Sequence, residues 1–166
     1  VALFSDLPYR LEKDLQPVAM LALIPLAAVV PTGSRIKSLR DLVSVSKNSD
    51  LSAASGGNGS SGHLALELFK SITGARMQHV PYRGGAPAIT GLIGGQVDMY
   101  FSPLPESLPH LQSGRLRALA LTSVGRNELL RDVPTTTEAG MPGMQMSAWN
   151  ALMVPYGTPR DIVTKI

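Results

Sequence analysis

Short apolar runs alternate with helix-forming segments through the middle of the chain, and this alternation restricts the fold more than any other feature. The pattern predicts strands at residues 51–55, 77–81, 97–101 and 116–122, and helices at residues 39–47, 63–72, 87–93 and 107–113. The run at 51–55 is apolar almost throughout, as expected for a strand buried on both faces. Repeated strand–helix units with short connections form right-handed crossovers and a parallel sheet covered by helices. The sequence therefore predicts an α/β fold with a mostly parallel sheet flanked by helices.

The remaining apolar segments lie nearer the two ends. Residues 18–30 form the longest apolar stretch, which is too short to span a bilayer and predicts a buried strand pair or one long strand. A fifth strand is predicted at residues 146–154, after a Pro/Gly-rich stretch with a short helix at 136–139. No signal peptide is visible at the start, and both ends indicate a fragment or a processed piece.

Composition excludes several classes of function. The 15 Lys and Arg residues against 12 Asp and Glu give a net charge of only +3, without a basic cluster, so nucleic acid is not an expected partner. With no cysteine, a disulfide scaffold, a thiolate metal site and a cysteine nucleophile are all excluded. The three histidines, His63, His79 and His110, do not share a metal-binding spacing, and we expect neither a metal nor a cofactor.

The strand order predicts a binding site at one edge of the sheet. Parallel strands end on the same side, so the loops at residues 56–62, 82–85 and 102–105 share a rim. Open α/β sheets bind ligands outside these strand ends. We therefore expect the functional residues on this rim.

The first rim loop is the richest in chemistry. Its four glycines allow close backbone approach, and Asn58, Ser60 and Ser61 add small donors before a helix N-terminus, which favours a carboxylate or a phosphate. The alternative is that a serine only caps the helix and the glycines only form the turn. The loop lacks the Gly-Lys-Ser/Thr of a P-loop, and no acidic residue follows at the distance that a dinucleotide fold requires.

The other two loops add weaker candidates. Tyr82 could donate from its hydroxyl, Gly84 and Gly85 from their backbone N–H groups, and Arg83 could pair with an anion or remain a solvated charge. Ser102 follows the third strand and either faces the cleft or caps a helix. A serine hydrolase using Ser60 or Ser61 with His63 and Asp98 can also be considered, although no G-x-S-x-G elbow is present.

Several motifs resemble one known family. Residues 54–64, 79–88 and 92–98 (ASGGNGSSGHL, HVPYRGGAPA and LIGGQVD), followed by residues 114–120, 132–135 and 138–140, look like the signature of the Bug/TctC receptors. These are extracytoplasmic solute-binding receptors of tripartite tricarboxylate transporters. The motifs occur in the family order across essentially the whole chain.

The resemblance implies a type II periplasmic-binding fold in which two α/β lobes enclose a small carboxylate. Family members are about twice as long, so this chain would carry mainly the second lobe and about half of the site. On this mapping, residues 1–24 are a linker and first crossing segment from lobe one, residues 25–153 are ligand-binding lobe two with crossing strands, and residues 154–166 start the return to lobe one. The resemblance also implies a periplasmic location.

Carried over by position, the resemblance also assigns roles to individual residues. Asn58, Gly59, Ser60 and Ser61 would hold a ligand carboxylate, Tyr82 and Gly84 would line the cleft, and Ser102 would face the variable end of the ligand. Many family members have Asp or another polar residue in place of Ser102. The implied partners are a small carboxylate and the membrane permease subunits, and the implied mechanism is binding without catalysis. The alternatives are an effector-binding domain of a transcriptional regulator and, less favoured, the serine hydrolase.

Overall fold

The structure is a computed structural model that describes residues 7–166. Its chain divides into two compact units. One is formed by Ile24–Ala148, and the other by the described part of residues 1–23 together with Trp149–Ile166. All of the rim loops predicted from the sequence fall in the first of these units.

The unit formed by Ile24–Ala148 is built on a mixed sheet. Its strands are β1 (Leu15–Pro31), β2 (Leu51–Ser55), β3 (Met77–Pro81), β4 (Met99–Pro103) and β5 (Leu116–Leu121), in the spatial order β3-β2-β4-β1-β5. Strand β2 runs parallel to β3 and β4, whereas β1 is antiparallel to β4 and β5. Four strands therefore share one direction and only β1 opposes them, which confirms the predicted α/β fold with a mostly parallel sheet.

Helices cover both faces of this sheet. They are α2 (Leu39–Asn48), α3 (Ser61–Thr73), α4 (Gly85–Ile93) and α5 (Leu104–Gln112). Leu42 of α2 and Phe69 of α3 share one buried cluster with Phe101 of the sheet, while α4 and α5 share a second cluster that includes Tyr100. Because neighbouring residues of β4 enter opposite clusters, the strand is buried on both faces, as its apolar sequence predicts.

Local sequence signals set the ends of these helices. Ser38 caps α2 by accepting a hydrogen bond from the backbone N–H of Asp41 at 3.1 Å. Gly74 ends α3 in the left-handed conformation with a φ of 68°. Capping chemistry therefore accounts for the start of α2 and the end of α3.

Two sequence predictions about local structure are wrong. The expected loop at 102–105 does not exist: Ser102 and Pro103 belong to β4, and α5 begins at once with Leu104. Pro105 fits there because the first turn of a helix needs no N–H donor from it. The helix expected at 136–139 is a turn, flanked by short 3-10 helices at Glu128–Leu130 and Pro142–Met144.

Residues 18–30 lie within a single long strand rather than a strand pair. Pro25 does not interrupt it, and because pairing with β4 begins only at Leu26, the missing proline N–H costs no hydrogen bond to β4.

The second unit contains the amino-terminal part of β1 and most of β6 (Ser147–Pro155), which pairs with β1. It also contains α1 (Leu11–Asp14) and α6 (Arg160–Lys165). The Tyr156 N–H donates to the Asp14 carbonyl at 2.8 Å, and Gln16 Nε2 donates to the Thr158 carbonyl at 3.3 Å. These bonds join the early and late segments of the chain within this unit.

Among residues 7–166, no helix combines the length and apolar character needed to cross a membrane.

Candidate functional site

The first two rim loops lie against each other at the carboxyl ends of the parallel strands. Ser55 at the end of β2 is in register with Pro81 at the end of β3. Beyond them, the Gly84 N–H donates to the Gly56 carbonyl at 3.1 Å. A Cβ placed on Gly56 would lie 3.5 Å from backbone atoms of both Gly84 and Gly85, so the two loops form one continuous surface.

Two glycines give the first loop its shape. Gly57 and Gly59 have φ values of 128° and 79°, which side chains of L-amino acids rarely tolerate. The Ser60 N–H donates back to the Gly57 carbonyl at 3.2 Å and closes the turn immediately before α3. The glycine-rich sequence is therefore required by the path of the chain.

The amino end of α3 carries several hydrogen-bond donors. Ser60 is the N-cap, and its Oγ accepts from the His63 N–H at 3.4 Å, while the Gly59 N–H donates to His63 Nδ1 at 3.0 Å. Within residues 7–166, the side chains and N–H groups of Asn58 and Ser61 and the N–H of Gly62 make no hydrogen bond. Such donors at the positive end of a helix macrodipole favour an anionic group.

A stacked pair of histidines lies beside this loop. The rings of His63 and His79 are nearly parallel, at 9°, with centroids 4.0 Å apart. His79 Nε2 lies 2.6 Å from Ser55 Oγ, which also accepts from the Gly57 N–H and donates to the Gly57 carbonyl, each at 3.1 Å. With the hydroxyl proton directed to Gly57, the imidazole N–H donates to Ser55. This network holds the glycine turn in place.

The electrostatics of the pair favour a neutral His79. Burial lowers the pKa of His79 below its ordinary value, and the neighbouring His63 lowers it further. His63 Nδ1 accepts a hydrogen bond from the Gly59 N–H. The two imidazoles therefore act as supports for the loop through their contacts with Ser55 and Gly59. Sequence reasoning considered these histidines as metal ligands, and His63 also as part of a serine hydrolase, but did not predict their contact.

The predicted residues of the second loop are placed differently from those of the first. Tyr82 turns toward α4, where its ring packs on Gly91 and its hydroxyl donates to Gln96 Oε1 at 3.2 Å. The Gly84 N–H is bonded to Gly56. Arg83 is exposed and forms no ion pair with any other residue of the described chain. In this conformation Tyr82 and Gly84 shape the rim, but their hydrogen-bond donors are directed to other parts of the chain.

Ser102, the predicted residue of β4, is fully buried, and its hydroxyl donates to the Pro103 carbonyl at 3.1 Å. The structure thus brings together Asn58, Gly59, Ser60 and Ser61 at one helix end. Gly84 is joined to this group by the hydrogen bond from its N–H to the Gly56 carbonyl. The hydroxyls of Tyr82 and Ser102 lie outside this group.

Two rim residues were missed by sequence reasoning. Tyr100 is buried, and its hydroxyl donates to Glu106 Oε2 at 3.3 Å. The Glu106 carboxylate lies directly against Gly85, where it would overlap any Cβ. Burial raises the pKa of both groups, and the hydrogen bond from Tyr100 opposes the rise for Glu106. The sequence signal that could have identified Glu106 is its position as an acidic residue in the first turn of a helix that starts directly at a strand end.

The structure does not assemble the residues of the alternative hydrolase. Asp98 Oδ2 accepts from the Ser52 N–H at 2.7 Å and from the Ser52 hydroxyl at 2.8 Å, near the amino end of β2 rather than at the rim. His63 accepts from a backbone N–H instead of from a serine. Among residues 7–166, no group of three acidic or histidine side chains has the geometry of a metal site.

Comparison with known proteins identifies the family. Residues 2–166 match the family described as "Tripartite tricarboxylate transporter family receptor". BugT of Bordetella pertussis is 37% identical over 165 residues, covering 98% of this chain and 51% of that protein. A protein from the tcbD-tcbE intergenic region of Pseudomonas sp. strain P51 is also 37% identical, covering 98% of this chain and 49% of its own.

Solved structures of similar sequence share the fold. Rpa4515 of R. palustris, solved with adipate, has a TM-score of 0.92 at 36% identity and is matched over 98% of this chain and 55% of its own. MatC of Rhodopseudomonas palustris, with bound malate, has a TM-score of 0.89 at 36% identity and is matched over 99% of this chain and 56% of its own. BugD, described as a periplasmic binding protein, is 30% identical, with a TM-score of 0.84 over 91% of this chain and 51% of its own.

More distant structures show the same fold in other binding proteins. An ancestral arginine-binding protein is only 14% identical, with a TM-score of 0.55 over 91% of this chain and 54% of its own. The fold is thus that of one lobe of a type II periplasmic binding protein. The chain spans about half the length of the curated relatives it matches. Together with the matched residues, these comparisons show that the chain belongs to the receptor family of the tripartite tricarboxylate transporters.

Proposed function

We propose that this chain forms the second lobe of a periplasmic solute receptor that binds a small carboxylate for a membrane transporter. The observation that carries the proposal is the set of donors on Asn58, Ser61 and Gly62, which have no hydrogen-bond partner within residues 7–166 and surround the start of α3. A carboxylate at this position accepts several charge-assisted hydrogen bonds and interacts favourably with the helix dipole. The adipate and malate bound by two similar proteins support this class of ligand.

The mechanism is capture without chemical change. The Gly59 and Ser60 backbone groups shape the cradle, and Asn58 and Ser61 donate to the carboxylate. Because the chain spans about half of its relatives, we place the other side of the ligand on the first lobe of the longer receptor. Closure of the two lobes then excludes water from the bound anion and strengthens each of these bonds.

The other predicted residues complete the proposed site at its margins. Gly84 holds the second loop against the first, and Tyr82 lines the approach between α4 and the rim. Ser102 is fully buried near the end of β4, and we place the variable end of the ligand above it. Neither a cofactor nor a metal takes part in this mechanism. The partners that we propose are the membrane permease subunits, which recognise the closed receptor.

Calorimetric titration of the full-length receptor with small carboxylates tests the proposal. Loss of one charge-assisted bond costs roughly 1.5–3 kcal/mol, so Ser61→Ala should weaken carboxylate binding by a factor of about 10 to 100. Ser71→Ala, at an exposed position near the other end of α3, is the matched control and should bind normally. Equal affinities of the two variants, or a receptor that binds no carboxylate, would contradict the proposal.

The division of the site between two lobes has its own test. The isolated 166-residue chain should bind at least a hundredfold more weakly than the full-length receptor, because it holds only part of the donor set. Micromolar or tighter binding by the isolated chain would show instead that the α3 cradle is sufficient.

A further inference from the structure

The carboxylate of Glu106 lies between the two helix ends of the rim. On one side it packs directly on Gly85, the first residue of α4. On the other side it accepts from the hydroxyl of Tyr100 at 3.3 Å. A Cβ on Gly62 of α3 would lie 2.7 Å from Tyr100 Cε2, the ring carbon next to the one that carries the hydroxyl. One tyrosine edge therefore separates Glu106 from the first turn of α3.

No positive charge within the described chain pairs with this carboxylate. The ion pairs among residues 7–166 join Glu67 to Lys70 and Glu138 to Arg126, while Glu67 also lies 4.0 Å from His63 Nε2, and none of these contacts includes Glu106. Tyr100 supplies one hydrogen bond but no charge. Glu106 is at an exposed position, so a cation can reach its carboxylate and stabilise it there.

The position of Glu106 also limits which ligands fit the rim. The surface at the start of α3 continues to α4 through the contact of Gly56 with Gly84 and Gly85, so a ligand held by its carboxylate at α3 can extend toward Glu106. A second carboxylate on the ligand would there meet the like charge of Glu106, whereas an ammonium group would meet an unpaired acceptor. Charges near a protein surface interact with an effective dielectric constant well below that of water, so this difference is substantial.

From this arrangement we infer that Glu106 is a specificity-determining residue, which selects carboxylates that carry an ammonium group over dicarboxylates of the same length. The inference rests on the proposed function, since it assumes that one ligand carboxylate lies at the start of α3. Tyr100 acts as a positioning residue because it directs the Glu106 carboxylate toward the rim.

Matched pairs of ligands test this selection in the full-length receptor. The two members of each pair have the same number of carbon atoms, and an aminomethyl group replaces one carboxylate. The pairs are succinate with 4-aminobutyrate, glutarate with 5-aminopentanoate, and adipate with 6-aminohexanoate. For the pair that binds best, the native receptor should favour the amino compound. Glu106→Gln should shift the ratio of dissociation constants at least tenfold toward the dicarboxylate. Glu106→Ser should do the same, which preserves the test if one variant does not fold.

Control variants separate selection from general damage. Glu128→Gln removes an exposed carboxylate from the 3-10 helix at Glu128–Leu130 and should leave the ratio unchanged. Tyr100→Phe should shift the ratio in the same direction as Glu106→Gln but by less, because the charge remains and only its position is lost. A merely structural role of Tyr100 would weaken both ligands equally.

The outcomes distinguish this inference from the function on which it rests. Binding of carboxylates with a ratio that Glu106→Gln and Glu106→Ser leave unchanged would overturn the inference alone. A native receptor that prefers the dicarboxylate in the pair that binds best would also overturn it. Failure of all six compounds and of other carboxylates to bind would overturn the proposed function together with the inference.

Discussion

The amino ends of α3 and α4 lie side by side on the same rim but differ in how they are completed. At α3, the cap comes from the local sequence: Ser60 accepts from the His63 N–H, and His63 accepts from Gly59. At α4, the N-cap is Gly84, which offers no side chain, and the nearest acidic group comes from Glu106 of another helix. One end therefore presents donors, while the other already carries a carboxylate.

This difference shows that a helix N-terminus is not by itself an anion site. Both ends have the same backbone dipole, so the dipole cannot decide where an anion binds. On the proposals above, the neighbouring side chains decide: hydroxyl and amide groups would leave α3 receptive to an anion, whereas a carboxylate would make α4 receptive to a cation. The predictions below change one end at a time.

The largest effect is expected from Gly62→Ala at the start of α3. A Cβ there would lie 2.7 Å from the Tyr100 ring and 2.8 Å from the Phe101 carbonyl oxygen, and the backbone oxygen cannot move away easily. We expect a loss of about 1–3 kcal/mol in the free energy of unfolding, as for other overpacked sites. Denaturant unfolding of the full-length receptor measures it. Gly33→Ala, where nothing lies within 4 Å of the new Cβ, is the control and should not destabilise the fold.

A smaller effect is expected from removal of the α3 cap. Ser60→Ala leaves the His63 N–H without its acceptor and should cost about 1 kcal/mol of stability. Ser38→Ala removes the equivalent cap of α2 and should cost a similar amount. Only Ser60→Ala should also weaken carboxylate binding in calorimetry, because only that cap lies in the cradle. Equal effects of both variants on binding would mean that Ser60 acts through stability alone.

The sequence predicts the scaffold of this rim well. Alternation of apolar runs and glycine-bounded helices identifies β2 and β3 to the residue and places α3 and α4 within two residues of their starts. These features are local, since hydrophobic period, caps and glycine turns act over a few residues. The gathering of Asn58 to Ser61 at a helix end follows from the same local signals.

The contacts between elements could not be predicted in this way. Glu106 reaches Gly85 across the gap between α5 and α4, and His79 stacks on His63 from a neighbouring strand. Both depend on side-chain directions that sequence spacing does not specify. The same reason explains Tyr82 and Ser102, whose rim positions were expected from the strand ends but whose hydroxyls bond to Gln96 and Pro103.

At α4, Gly85→Ala should cost less than Gly62→Ala. The new Cβ would overlap the Glu106 carboxylate, which is the end of a flexible side chain and can rotate away. We expect a loss below about 1 kcal/mol, offset in part by the better helix propensity of alanine. Combining Gly85→Ala with Glu106→Ser should recover the loss. Unfolding measurements on the native protein, the two single variants and the double variant give the coupling free energy between the two positions. Additive effects would show that Glu106 does not rest on Gly85 in solution.

The smallest effect is a dependence of stability on pH that arises from the histidine pair. The pKa of His79 is lowered in the folded protein, mainly by burial and then by His63 and Lys70, while Glu67 opposes the shift. Between that lowered value and the ordinary 6.5, the unfolded chain binds more protons, so the free energy of unfolding falls as the pH falls through this window and is constant above it. The dependence should be shallow because His79 is only partly buried.

His79→Gln should flatten this pH dependence, as measured by denaturant unfolding at several pH values, and His63→Gln should flatten it partly by removing the stacked neighbour. A slope that survives His79→Gln would assign the acid sensitivity to other groups and leave the stack with only a structural role at α3.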